Sequence, residues 1–223
     1  MPELNPLDYW QDLWSRPEPR RFEQRSPHVL LQRFIAEPSH RGGLDLEGVF
    51  MPFCGQSVDV DYLLDQGLTV VGNDLCQRPL VEILDRLERG CEGTQAASRD
   101  LVRFQSSGLT LIQGDFFHLV PADIASCNLC YDRAGSVVLP PDVRRAFASH
   151  LAALQEPGDR YLVLSNEYDE ADVPPGSNFP LPFALPDLRS LYAAHYEIEA
   201  LSLQLEKPPF TARLYLLTRR DMG

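Results

Sequence analysis

From residue 47 onward, short apolar runs alternate with segments in which apolar residues recur every three or four positions. The runs have the length and composition of buried β-strands, and the segments between them have the spacing of amphipathic helices. Leu80, Ile83, Leu84 and Leu87 form one such helical set. The alternation predicts a doubly wound, mostly parallel α/β sheet with helices on both faces. The strand-like runs cover residues 48–53, 68–72, 109–113, 125–131 and 161–165.

Two further strand-like patterns lie near the end of the chain, at residues 196–205 and 212–218. Only a short proline-containing segment separates them, and it is too short for a helix that crosses over the sheet. The two strands are therefore predicted to be antiparallel. A polar stretch between residues 90 and 107 is predicted to interrupt the alternation earlier in the chain.

The N-terminal residues have a different pattern from the rest of the chain. Apolar side chains at helical spacing between residues 7 and 35 include Trp10 and Trp14, and two prolines interrupt them. The pattern predicts a helical extension over residues 1–45 that acts as a lid on an α/β core at 46–223. We expect the whole chain to form a single domain, because 223 residues can bury one core without disulfides or a structural metal.

Charge and hydropathy exclude several classes of partner. Lys and Arg number 20 against 32 Asp and Glu, which gives a net charge of −12. A chain this acidic repels the phosphates of nucleic acids and anionic membrane surfaces. The first thirty residues lack the order of a targeting sequence, and no apolar run approaches the length of a membrane span. We therefore expect a monomeric, cytoplasmic protein that acts on a small molecule, with no nucleic-acid or membrane partner.

Five cysteines, an odd number, are spread along the chain and favour reduced thiols over a disulfide framework. Cys127 and Cys130 have the spacing of a metal or redox pair. They lie inside a strand-like run, where residues three apart point to opposite faces, and no second Cys/His pair completes four ligands. We favour a structural role for both and predict no metal site.

The loops that follow the strands carry the candidate chemistry, because ligands of open α/β sheets bind beyond the carboxyl ends of the strands. The first loop has one glycine, Gly55, where a dinucleotide site has several around a pyrophosphate. One glycine suffices for S-adenosylmethionine, which has no phosphate, although glycine also occurs in such turns for conformational reasons. Asp74 ends the second strand 19 residues later and could accept hydrogen bonds from both ribose hydroxyls. Its alternative role is to cap the following helix.

The third and fourth loops add further candidates. Asp115 and Phe116 could bind the amino group and the ring of an adenine, or they could be a turn residue and a core residue. Tyr131, Asp132 and Arg133 come at the end of the fourth strand, where an acceptor or the methionine end of the cofactor would lie. The alternative for Asp132 and Arg133 is a surface ion pair of little energetic value.

Several short segments occur in a specific order along the chain. They are YWQDLW at 9–14, FEQ at 22–24, PFCGQSVD at 52–59, QGLTVVG at 66–72, GDFF at 114–117, YDRA at 131–134 and LPP at 139–141. Together they resemble the thiopurine S-methyltransferase family over nearly the whole chain. That family belongs to the class I methyltransferases, whose domains have the predicted layout of strands and helices. The resemblance implies S-adenosylmethionine as cofactor, S-adenosylhomocysteine as product, and S-methylation of a small thiol.

The resemblance also implies roles for individual residues, because the N-terminal helix of that family closes over the cofactor. By position, Trp14, Cys54, Asp74, Asp115 and Phe116 would line the cofactor, while Phe22 and Arg133 would face the acceptor. We add Gly55 and Tyr131 to the cofactor site and Trp10 to the acceptor site. Trp10 could instead anchor its helix by packing. An aromatic ring beside a sulfonium is favourable, since the positive charge is attracted to the π face.

Three positions depart from the pattern of the family. Glu23 stands where histidine is usual, and Asp74 stands where the longer glutamate is common. The segment between the last two strands, at 207–210, replaces a longer insertion that helps to form the acceptor pocket.

Methyl transfer is an in-line displacement, so most of its acceleration can come from positioning. A thiol needs no strong base, because its pKa of about 8.5 leaves some thiolate near neutral pH. We expect Arg133 to stabilise that thiolate or to bind an acceptor carboxylate. Oxygen or nitrogen acceptors would need a base, which Asp132 or His118 would have to supply. The alternatives are transfer to oxygen, nitrogen, halide, selenium or tellurium, and a domain that binds the cofactor without catalysis.

Overall fold

The computed structural model describes residues 6–16, 24–89, 93–96, 100–133, 135–172 and 182–221. Two helices precede the first strand, α1 at Pro6–Ser15 and α2 at Val29–Ala36. Among the described residues, no helix has the length and apolar character that a membrane span requires. The later helices are α3 (Asp59–Asp65), α4 (Gln77–Arg86), α5 (Pro121–Ile124), α6 (Gly135–Val138), α7 (Pro141–Leu154) and α8 (Leu185–Tyr192).

A single sheet forms the centre of the fold. Its described strands are β1 (Gly48–Pro52), β2 (Thr69–Asp74), β3 (Gly93–Ala96), β4 (Leu101–Ser106), β5 (Leu109–Gln113), β6 (Leu129–Asp132), β7 (Arg160–Glu167), β8 (Tyr196–Lys207) and β9 (Phe210–Arg219). Their order is β3-β4-β5-β2-β1-β6-β7-β9-β8. Strands β5, β2, β1, β6 and β7 are parallel to one another, whereas β4 and β9 run antiparallel to their neighbours β5 and β7.

Helices cover both faces of the sheet, so the central strands are buried on both sides. Helices α2, α3 and α4 pack on one face, and α7 and α8 pack on the other. Strand β1 shows the resulting alternation, with Val49 and Met51 in the first apolar cluster and Phe50 in the second. The predicted fold class is confirmed, including the antiparallel pair formed by β8 and β9.

Two parts of the fold differ from the sequence-based expectation. The stretch that was predicted to be a polar interruption contains β3 and β4 at one edge of the sheet. Strand β3 is the edge strand, and only Leu101 and Phe104 of its neighbour β4 are buried, so the apolar pattern of β4 is too weak to be recognised as a strand. Helix α8 was not predicted, because its buried residues are limited to Leu188 and Tyr192, four positions apart.

Candidate functional site

The loop after β1 lies at the carboxyl edge of the sheet, against the N-terminal helix α1. Gly55 has a φ of 53°, a left-handed conformation that glycine adopts without strain. The Trp14 side chain is buried, and a Cβ placed on Gly55 would lie 3.2 Å from the Trp14 Cζ2 atom. The indole therefore covers the glycine directly. Helix α1 thus brings an aromatic ring to the turn that the sequence singled out.

Asp74 ends β2 beside this turn and connects two backbone segments. Its Oδ2 accepts a hydrogen bond from the Gly55 N–H at 3.0 Å, and its Oδ1 accepts one from the Cys76 N–H at 2.9 Å. Burial raises the pKa of this carboxyl from 3.8 to about 6, while the two backbone hydrogen bonds act in the opposite direction. Each carboxylate oxygen has two lone pairs, so both oxygens can accept a further hydrogen bond.

A groove opens next to Asp74, between α1 and the start of α4. Its volume is about 370 Å³. Because Cys76 follows Asp74 by two positions, the groove and the carboxylate belong to the same corner of the molecule. The groove is lined by Gln11, Trp14, Ser15, Cys76, Gln77, Arg78 and Val81.

The third loop places Asp115 and Phe116 in a turn and in the core, respectively. Asp115 is exposed, and its Oδ1 accepts a hydrogen bond from the Phe117 N–H at 3.0 Å at the start of a 3₁₀ turn. Phe116 is buried, with its ring centroid 4.8 Å from that of Phe147 and 5.5 Å from that of Phe53. Both contacts match the structural alternative that the sequence left open.

Asp132 at the end of β6 is held by several donors beneath the surface. It is 1% exposed, and it accepts hydrogen bonds from the Gly135 N–H at 2.6 Å and the Ser136 N–H at 3.0 Å. The Ser136 hydroxyl at 2.7 Å and the Tyr161 hydroxyl at 2.6 Å also donate to it. A carboxylate bound in this way shapes the start of α6. Internal donors contact both of its oxygens, and the catalytic role of Asp132 stays a prediction.

Arg133 pairs with Asp59, and not with its neighbour in the chain. Its Nη1 lies 2.7 Å from Asp59 Oδ2, and the side chains are 18% and 0% exposed. The predicted alternative of an ion pair between Asp132 and Arg133 is therefore wrong, since successive strand residues point to opposite faces. Tyr131 lies on the Asp59 side, and its hydroxyl donates to Asp59 Oδ2 over 3.5 Å.

His28, immediately before α2, completes this group. The backbone N–H of His28 donates to Asp59 Oδ1 at 2.7 Å, and the ring Nδ1 accepts a hydrogen bond from the Leu30 N–H at 3.3 Å. Burial and then the nearby Arg133 charge lower the pKa of the imidazole from 6.5 to about 4, against an opposing effect of Asp59. His28 is therefore neutral at pH 7, with its proton assigned to Nε2 by the acceptor role of Nδ1. Asp59 ends the segment PFCGQSVD, but no pattern in the sequence assigns a role to it or to His28.

Four of the five cysteines lie in the described residues and are free thiols. Cys54 contacts β2 closely, since a Cβ placed on Gly72 would lie 2.9 Å from the Cys54 Sγ atom. Burial raises the pKa of the Cys54, Cys76, Cys127 and Cys130 thiols, so they stay protonated near neutral pH. This favours packing roles for the described cysteines.

The other predicted site residues are placed less tightly. Trp10 is half-buried on α1, with its ring centroid 5.3 Å from that of Tyr9. Phe22, predicted to face the acceptor, lies outside the described residues. His118 is exposed in the 3₁₀ turn after Asp115.

Arg86, near the end of α4, fastens the loop that contains Gly55. Its Nη1 donates to the Gln56 carbonyl at 3.1 Å, and its Nη2 donates to the Ser57 carbonyl at 3.2 Å. The same guanidinium forms a bidentate pair with Asp61 in the first turn of α3, at 2.9 and 2.6 Å. Arg86 therefore holds two carbonyls of the loop, while Asp74 of β2 holds its Gly55 N–H.

Changing Arg86 to lysine is expected to weaken cofactor binding about two- to fivefold, because lysine keeps the charge but loses the planar fork. The effect is small because the Arg86 and Asp61 side chains are 32% and 25% exposed. Calorimetric titration with S-adenosylhomocysteine measures the change. Arg89→Lys is the matched control, since Arg89 instead donates to the Ser107 carbonyl. Equal affinities for the two variants would show that Arg86 does not support the cofactor-binding loop.

Comparison with known proteins gives concordant results for sequence and fold. A family model described as thiopurine S-methyltransferase matches residues 6–208. A thiopurine S-methyltransferase of Pseudomonas paraeruginosa is 32% identical over 196 residues, covering 87% of this chain and 85% of the relative. Another, from Nitrosospira multiformis, is 31% identical over 209 residues, covering 92% of this chain and 91% of the relative.

A solved structure supports the fold. Magnesium protoporphyrin IX methyltransferase from Synechocystis, with bound S-adenosylhomocysteine, superimposes with a TM-score of 0.60. The match covers 95% of this chain and 93% of the other, at 17% sequence identity. At that identity the likeness concerns the architecture of the sheet and its helices alone.

Proposed function

The chain belongs to the thiopurine S-methyltransferase family, and from this premise we propose that it transfers a methyl group to the sulfur of a small thiol. It is an S-adenosylmethionine-dependent methyltransferase, and S-adenosylhomocysteine is its product. The location of the cofactor site is supported mainly by the hydrogen bond between Asp74 and the Gly55 N–H, at the carboxyl edge of the sheet and next to Trp14.

The residues present suit a nucleoside cofactor that carries an amino acid. Asp74 has lone pairs left for two ribose hydroxyls, and the groove between α1 and α4 opens beside it. Gly55 has no side chain, so the Trp14 indole can lie directly on the turn that would hold the amino-acid part. Cys54 and Tyr131 complete that end of the site in the proposal. Asp115 would bind the amino group of the adenine and Phe116 would lie beside its ring, in addition to their roles in the turn and the core.

The cofactor supplies an electrophilic methyl group on a positively charged sulfur. Trp14 would present its π face to that charge, and α1 would exclude water from the turn below it. In this proposal residues 1–45 are a lid on the core at 46–223, within one domain. Phe22 and Trp10 would belong to the acceptor side of the same lid.

On the acceptor side, the proposal assigns Arg133 to the substrate. Its side chain is 18% exposed, and its Nη1 contacts the buried Asp59. A cation held there favours the thiolate form of an acceptor, or binds an acceptor carboxylate, without a separate base. A thiol is favoured over oxygen and nitrogen acceptors because Asp132, one of the two bases the sequence offered, is saturated by internal donors.

A panel of matched acceptors tests the proposal. Thiophenol, phenol and aniline share one ring and differ only in the nucleophilic atom, so methylation of thiophenol alone is expected. Saturating S-adenosylhomocysteine is also expected to stabilise the fold by about 2.7 kcal/mol at a hundred times its Kd, seen as a higher Tm. ATP is the control ligand for that shift. Methylation of phenol or aniline at a comparable rate would contradict thiol specificity.

A further inference from the structure

Asp59 lies behind Arg133, completely buried, and three donors from two distant parts of the chain converge on its carboxylate. They are the Arg133 guanidinium at 2.7 Å, the His28 backbone N–H at 2.7 Å and the Tyr131 hydroxyl at 3.5 Å. We propose that Asp59 is a positioning residue for methyl transfer, which holds the Arg133 guanidinium in the orientation that the acceptor requires. The inference rests on the proposed acceptor role of Arg133.

Burial and charge argue that Asp59 determines where Arg133 points. Asp59 is 0% exposed, so its charge has no access to solvent, and a buried carboxylate without a cation would be strongly destabilising. The guanidinium of Arg133 is the cation in contact with it, and the long arginine side chain would otherwise sample many rotamers. The ion pair therefore fixes the Arg133 side chain, which is 18% exposed, by means of the fully buried Asp59 carboxylate.

The backbone around Asp59 is itself fixed, which makes the carboxylate a rigid reference point. Asp59 is the first residue of α3, and its N–H donates to the Ser57 hydroxyl at 3.2 Å. Arg86 donates to the Ser57 carbonyl in the same loop. The loop that approaches the cofactor and the residue that orients Arg133 are therefore parts of one short segment, 55–59.

The second oxygen of Asp59 connects this segment to the N-terminal part of the chain. The His28 N–H binds Asp59 Oδ1, while Arg133 binds Oδ2, so one carboxylate joins the start of α2 to the acceptor side. The neutral imidazole of His28 lies near the same pair. The carboxylate that orients Arg133 is therefore itself held by the backbone N–H of His28.

Four variants separate a positioning role from a purely structural one. Asp59→Asn removes the charge but keeps an oxygen for the His28 N–H, and Arg133→Gln removes the cation. The double variant Asp59→Asn/Arg133→Gln leaves no unpaired buried charge, so it folds even if Arg133→Gln is unstable. Asp65→Asn is the matched control, because Asp65 is exposed at the other end of α3. For each variant, kcat and KM for thiophenol, Kd for S-adenosylhomocysteine and Tm are measured.

Asp59→Asn is expected to lower kcat/KM about ten- to thirtyfold, with cofactor Kd changed less than about twofold. In the Arg133→Gln background the same change should cost no further activity, because Asp59 acts through Arg133. Tm should be higher in the double variant than in Arg133→Gln while activity is not restored, which a structural role alone does not produce. The Asp65→Asn protein should match the unmodified one.

Three results would overturn the inference. Asp59→Asn could retain full activity, or it could lower kcat/KM by the same factor with and without Arg133, which would make the two residues independent. If Arg133→Gln leaves thiophenol turnover unchanged, the proposed acceptor role fails and the inference fails with it. A loss in Arg133→Gln with full activity in Asp59→Asn rejects the inference alone and leaves the proposed function standing.

Discussion

Replacing Asp132 with alanine is expected to lower the free energy of unfolding by about 3 to 5 kcal/mol. The substitution removes an acceptor for four hydrogen bonds, from the Gly135 and Ser136 backbone and from the Ser136 and Tyr161 hydroxyls. These groups are buried, so the donors left behind cannot all turn to water. The loss should appear as a lower midpoint in urea unfolding, with an unchanged slope.

Two control substitutions make the result specific to the network around Asp132. Asp142→Ala, at an exposed position in the first turn of α7, should change stability by less than about 0.5 kcal/mol. Ser136→Ala removes a single hydroxyl and should cost about 1 kcal/mol. A stable Asp132→Ala protein that has lost turnover would show instead that Asp132 is catalytic, as the sequence suggested.

The central strands could be located in the sequence because each of them is a short run of apolar residues. Strands β1, β2 and β5 are of this kind. Strand β4, second from the edge of the sheet, is not, since only Leu101 and Phe104 of its residues are buried. The local rule fails where burial is partial, and the sheet edge was missed for that reason.

The same distinction separates the parts of the site that could be predicted from those that could not. Gly55 and Asp74 follow neighbouring parallel strands, whose ends meet at one edge, so their proximity follows from the order of the strands. Asp59 and Arg133 are 74 residues apart, and their contact depends on where α3 begins and on the face to which Arg133 turns. A pattern of apolar residues contains neither piece of information.

Cofactor affinity is expected to rise with pH through about pH 6, because Asp74 must be ionised to accept two ribose hydroxyls. Its pKa in the folded protein, about 6, lies above the 3.8 of an ordinary carboxyl. The folded chain therefore binds this proton more tightly than the unfolded chain. Without ligand, the free energy of unfolding falls as the pH rises from about 4 to about 6. Cofactor affinity changes in the opposite direction and increases as the pH rises, so S-adenosylhomocysteine should bind about tenfold more weakly at pH 5 than at pH 7.5.

The Asp74→Asn variant tests the assignment of this pH dependence to one group. Asparagine keeps the size of the side chain but has no charge and one oxygen fewer, so affinity at pH 7.5 should fall about ten- to a hundredfold. The remaining affinity should be independent of pH between 5 and 7.5, whereas the Asp115→Asn protein, changed at an exposed position, should keep the full pH dependence. Titration calorimetry at several pH values gives both quantities. If Asp74→Asn binds the cofactor weakly but with the original pH dependence, another group titrates and the ionisation of Asp74 is not what the ribose requires.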